Sequence, residues 1–123
     1  MLSQLKIKDF AIIDDLTIEF YDNMTVLTGE TGSGKSIIID AINLLLGERA
    51  SSEMIRYDKE KAVVEGLLYF DNPKVSELLV SYGIENEDDS LVIIREITKN
   101  GRNICRLNGN LISVNQLKQI GSL

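Results

Sequence analysis

The feature that most constrains this chain is the run Gly29-Glu30-Thr31-Gly32-Ser33-Gly34-Lys35-Ser36. Its glycines let the backbone turn tightly around a ligand without Cβ clashes. What flanks the run matters as much. Met24-Thr25-Val26-Leu27-Thr28 is a short, mostly apolar stretch suited to a buried strand. Over residues 35–46 nearly every position is apolar, and the exceptions Ser36, Asp40 and Asn43 fall in line with Gly47 at helical spacing. Strand, glycine loop and helix in that order aim the loop's N–H groups and the positive end of the helix dipole at an anion. The run fits GxxxxGK(S/T) in full, the P-loop pattern of nucleotide binding. Lys35 adds a mobile charge that reaches β- and γ-phosphates, and the Ser36 hydroxyl is a hard oxygen ligand suited to Mg²⁺. Chance supplies the four specified positions on the order of a few times per thousand chains of this length. The expected ligand is therefore ATP with Mg²⁺, held by Gly29, Glu30, Thr31, Gly32, Ser33, Gly34, Lys35 and Ser36.

Binding is not hydrolysis, which also needs a strand-borne acid for the metal and a group that positions water. Leu67-Leu68-Tyr69-Phe70-Asp71 imitates the apolar run that ends in such an acid. Asn72-Pro73 follows it, however, so no second acid is at hand, and a helix start accounts for Asp71 without any metal. Glu96 lacks a preceding Asp. The chain contains no histidine, which leaves only carboxylates as bases. No catalytic residue is expected among these residues.

The remainder reads as one domain or part of one. At 123 residues, 44% hydrophobic and 26% charged, the composition is that of a globular protein. Such a length buries roughly two-thirds of its unfolded surface, enough for one core. Leu16-Thr17-Ile18-Glu19-Phe20 and Leu5-Lys6-Ile7 alternate as half-buried strands do, and residues 62–70 are β-like. Asn72 offers an N-cap and Pro73 a first helical residue, with Val75, Leu78, Leu79 and Tyr82 on one face and Gly83 as a stop. Two further strands, 91–97 and 104–107, flank Asn100-Gly101, and Asn108-Gly109 turns the chain again. Ser113-Val114-Asn115-Gln116 has the capping-box spacing that opens a last helix.

Apolar runs fall far short of the ~20 residues of a membrane helix, and the start lacks a basic-then-apolar export pattern. With Cys105 alone, no disulfide framework is possible, and a buried, inert thiol in a cytoplasmic protein is expected. The net charge of −6 argues against a DNA-coating module. Basic residues do gather, Arg95, Lys99, Arg102 and Arg106 around the hairpin and Arg49, Arg56, Lys59 and Lys61 after the P-loop helix. Solvated strand faces and loops explain them, with a DNA-phosphate contact as the alternative.

Several blocks carry a resemblance. Phe10-Ala11-Ile12-Ile13, the P-loop run continued through Ile37-Ile38-Ile39-Asp40-Ala41, Gly47-Glu48-Arg49-Ala50 and Cys105-Arg106-Leu107-Asn108-Gly109 together resemble the start of the bacterial RecN family over the whole chain. Position 33, often alanine in that family, is Ser33 here. The resemblance implies an α/β P-loop NTPase: the N-terminal lobe of an ABC/SMC-type ATPase head, with a mixed sheet, an antiparallel β portion and a P-loop helix. It implies an ATPase of recombinational repair of DNA double-strand breaks, cytoplasmic and nucleoid-associated. The coiled coil and the C-terminal half-head, which carries the signature motif and the catalytic acids, would lie outside residues 1–123. Implied partners are that half-head, a second head in a head-to-head homodimer, and DNA, with no membrane.

Two other readings stay open: another ABC-type ATPase such as a transporter subunit, and an association module without turnover. The strand-rich stretch 62–112 favours the SMC-like head. If the P-loop helix is apolar on most faces, cover from elsewhere is needed. The chain by itself is then expected to self-associate or to displace its P-loop, with an unpaired edge at the strand 24–28.

Overall fold

Strands whose successive residues alternate between a buried and a less buried face form one antiparallel sheet. The computed structural model describes residues 2–20, 32–86 and 88–123, with the backbone alone for 32–35. The strands are β1 (Leu2–Phe10), β2 (Ile13–Glu19), β3 (Lys61–Tyr69), β4 (Ser90–Thr98), β5 (Asn103–Leu107) and β6 (Asn110–Ile112). They form a six-stranded sheet in the order β2-β1-β3-β4-β5-β6, and every described pairing is antiparallel. The expected strand at residues 24–28 and the turn 21–23 lie outside the described residues, and the described part of the expected mixed sheet is its antiparallel portion.

Because successive strand residues point to opposite faces, register sorts the sheet into rows. Ile7, Val64, Arg95 and Cys105 form one inward row across β1, β3, β4 and β5, and Leu5, Gly66, Ile93 and Leu107 form the next. All of these residues are buried. The helices cover this face: α1 (Gly32–Leu45), α2 (Pro73–Ser81) and α3 (Val114–Gly121). Helix α1 contributes Ala41, Leu44 and Leu45 to the core, α2 Val75 and Leu79, and α3 Leu117 and Ile120. At about 25 cal/mol per Å², each fully buried leucine or isoleucine stabilises the fold by roughly 1.5–3 kcal/mol.

The turn chemistry is local. The Asn72 side chain accepts from the Lys74 N–H at 2.9 Å, with Pro73 opening α2. Ser113 and Gln116 exchange side-chain and backbone bonds at 3.0 and 2.9 Å, a complete capping box for α3. Asn108 and Gly109, at φ 49° and 85°, join β5 to β6. The β1–β2 turn is tied down by Ala11 N–H to Met54 O and Arg56 N–H to Asp9 O, next to a short 3₁₀ turn at Ser52–Met54. Among the described residues no helix is long and apolar enough to cross a membrane.

Candidate phosphate-binding site

The site begins where α1 begins. Gly29, Glu30 and Thr31 lie outside the described residues. The backbone of Gly32, Ser33, Gly34 and Lys35 forms the first turn of α1, so the helix starts a turn earlier than its apolar run suggested. That turn holds no acidic residue to compete for an anion. The first four N–H groups of any α-helix lack intrahelical partners and carry the positive end of its dipole. Ser36, one residue on, is exposed. Its hydroxyl is a hard oxygen donor of the type Mg²⁺ takes.

The other end of α1 is heavily anchored. Gly47, at φ +96°, adopts the left-handed conformation that stops the helix; its N–H donates to Leu44 O at 3.2 Å and the Glu48 N–H to Asn43 O at 3.1 Å, a Schellman motif. A Cβ on Gly47 would sit 2.6 Å from the Lys118 Cα of α3, and one on Gly121 would meet the Leu46 carbonyl. Both glycines allow α3 to close against the end of α1.

Arg95 completes this anchoring, and it corrects the sequence reading. Its residue type and its place beside Lys99, Arg102 and Arg106 predict a solvated face, yet it is 1% exposed. Its Nη1 donates to Leu44 O at 2.7 Å and Glu48 O at 3.0 Å, and Nη2 reaches Asn103 Oδ1 at 3.4 Å. A signal was available: Leu91, Ile93, Arg95 and Ile97 share one strand phase, and the other three are core residues. Burial pushes the Arg95 guanidinium below its ordinary range while Cys105 acts the other way; burial pushes the Cys105 thiol up and Arg95 opposes it.

The remaining basic residues divide. Lys61 and Arg106 both pair with Glu96, at 3.3 and 2.8 Å, on the outer face of the sheet. Arg56 donates to Ile12 O at 2.6 Å. Arg49, Lys59, Lys99 and Arg102 are exposed. Glu96 therefore faces away from α1 between two cations. Asp71 is exposed beside the Asn72 cap. Of the expected line, Ser36, Asp40 and Asn43 are exposed while Gly47 is buried against α3, and Ile39 on α1 and Leu46 just past its end are also exposed, at 42% and 38%. The helix is less buried than its composition suggested.

A six-stranded sheet backed by a helix that continues from GxxxxGKS is the N-terminal lobe of a P-loop ATPase head. The chain belongs to the AAA domain family, which it matches over residues 4–122. It is 48% identical to the DNA repair protein RecN of Bacillus subtilis (strain 168) over 124 residues, which is 100% of this chain and 22% of that protein. Against the DNA repair protein RecN of Vibrio cholerae serotype O1 the identity is 41% over 127 residues, again 100% of this chain and 22% of the relative. The chain thus spans about a fifth of the length of these relatives, and it resembles the N-terminal half of the RecN head. A solved SMC ATPase, from work on ATP-driven dimerization and DNA stimulated activation, superposes with a TM-score of 0.75 at 26% identity, covering 98% of this chain and 77% of that one. The recombination mediator RecF, solved with an ATP analogue, shares the fold at a TM-score of 0.73 and 22% identity, covering 95% of this chain and 29% of that one.

Proposed function

We propose that this chain binds ATP with Mg²⁺ as the N-terminal lobe of a RecN-type ATPase acting in recombinational repair of DNA double-strand breaks. The observation that carries the reading is the join between the full P-loop pattern and the first turn of α1, in a lobe with the SMC-head fold. Gly29, Glu30, Thr31, Gly32, Ser33 and Gly34 supply backbone N–H groups to the phosphates. Lys35 places its ammonium on the β- and γ-phosphates, and Ser36 holds Mg²⁺. When bound, the ion neutralises charge on the terminal phosphates.

Residues 1–123 form one half-head in this reading. The coiled coil, the acid that holds Mg²⁺ and the base that orients water are supplied from outside these residues. The full-length protein is an ATPase, whereas this chain by itself binds nucleotide without turnover. Its partners are the C-terminal half-head, a second head in a homodimer, and DNA, within the cytoplasm at the nucleoid. The exposure of Ile39 on α1 and of Leu46 just past its end supports a covering partner. The test is whether the full-length protein's ATPase is stimulated by DNA ends and lost in Lys35→Ala. An ATPase indifferent to DNA would contradict the repair reading.

A further inference from the structure

Among the described residues, Arg95 is the one charged side chain buried in the core. No carboxylate offsets it, since the ion pairs there join Glu96 to Lys61 and to Arg106. An apolar residue of similar volume would fill the same space with less desolvation cost. Packing therefore does not explain a cation at this position. What a guanidinium adds is directed bonding, here to Leu44 O and Glu48 O at the negative end of α1 and to Asn103 on β5.

The anchor is well founded at its other side. β4 is paired along its length to β3 and also to β5, which makes it an interior strand of the sheet. Three close approaches lie at the same end, Gly47 against Lys118, Leu46 against Gly121 and Leu45 against Gly66, while Ile37, Ile38, Ala41 and Ile42 pack against the core by non-directional apolar contact alone. Toward the other end Ser36, Ile39 and Asp40 are exposed. A helix of 14 residues is about 21 Å long. A tilt of about 3° at the anchor therefore moves the far end by about 1 Å, a displacement that matters to groups converging on phosphate.

We infer that Arg95 is a positioning residue for nucleotide: by clamping Leu44 O and Glu48 O to β4 it sets the axis of α1, and so where residues 32–36 meet the phosphates. The inference rests on the P-loop reading above. Arg95 lies at the opposite end of the helix from the phosphates and acts only through α1.

Calorimetric titration of MgATP into the full chain, below the melting point of every variant, tests it. Arg95→Met is expected to weaken binding about 3- to 30-fold. Arg95→Lys keeps the charge but lacks the fork that joins the helix end to Asn103, and should fall between Met and wild type. Leu79→Ala, in the core on α2, should melt lower yet bind as wild type does. If Arg95→Met does not fold, Arg95→Lys carries the test. Wild-type affinity in the Arg95 variants, with binding lost in Lys35→Ala, overturns the positioning role and leaves the P-loop reading standing. Equal losses in Leu79→Ala and Arg95→Met overturn it too, by assigning the effect to stability. Wild-type affinity in Lys35→Ala removes both.

Discussion

Gly66 of β3 and Leu45 of α1 share a space that one added carbon would contest, because a Cβ on Gly66 would overlap Leu45 Cδ1. The glycine lets the P-loop helix lie close against the sheet. Gly66→Ala should force Leu45 off its rotamer or lift α1, costing about 1–3 kcal/mol. Urea unfolding measures this, and an unchanged midpoint would mean that the helix does not press on β3 there.

Gly47 faces two penalties where Gly101 faces one. Both have positive φ, +96° and +88°, but only Gly47 abuts another backbone, at Lys118. Gly47→Ala should cost about 2 kcal/mol or more and Gly101→Ala about 1 kcal/mol. Thermal melts of the two variants side by side check the order. Equal shifts would show that the α1–α3 contact is easily relieved.

Ser113→Ala removes the side chain that accepts the Gln116 N–H at the start of α3. A loss of about 0.5–2 kcal/mol is expected. Gln116→Ala should cost less when made in the Ser113→Ala background than in wild type, since the two residues form one reciprocal box. A double-mutant cycle with no coupling would contradict that.

Much of this architecture was legible from short-range patterns. Leu16 to Phe20 alternate, residues 62–70 are β-like, residues 91–97 lead into the Asn100-Gly101 turn, and Asn72, Gly83 and Ser113 mark helix ends, because strands, caps and turns are decided by neighbouring residues. The sequence marks the turn at Asn108-Gly109 but not β6 beyond it, since Asn110-Leu111-Ile112 is too short to show a period. Arg95 was missed for a different reason. Residue type placed it outside, whereas strand phase placed it inside, and the carbonyls that reward its burial arrive from Leu44 and Glu48, far away in sequence. The site itself was read from the P-loop run, whose first residues, Gly29, Glu30 and Thr31, lie outside the described residues.

Cys105 gives the fold a dependence on alkaline pH. Burial raises its thiol above the ordinary 9.0 despite Arg95. A raised folded pKa means that the contribution to stability is complete below the unfolded value and is lost as pH rises through the folded one. Stability should therefore fall above about pH 9, and Tyr82, raised by burial from 10.0, extends the decline. Unfolding followed between pH 7 and 10 checks this against Cys105→Ala, in which the first part of the decline should vanish. The same slope in both proteins would locate the titration elsewhere.

The claim on which the rest depends is that residues 29–36 hold the phosphates of ATP. Calorimetric titration of MgATP into the full chain and into Lys35→Ala tests it most directly. Removing the full charge that reaches the β- and γ-phosphates should weaken binding by about 2 kcal/mol or more, at least about 30-fold, while the fold stays intact. Equal affinity in the two proteins would contradict the account.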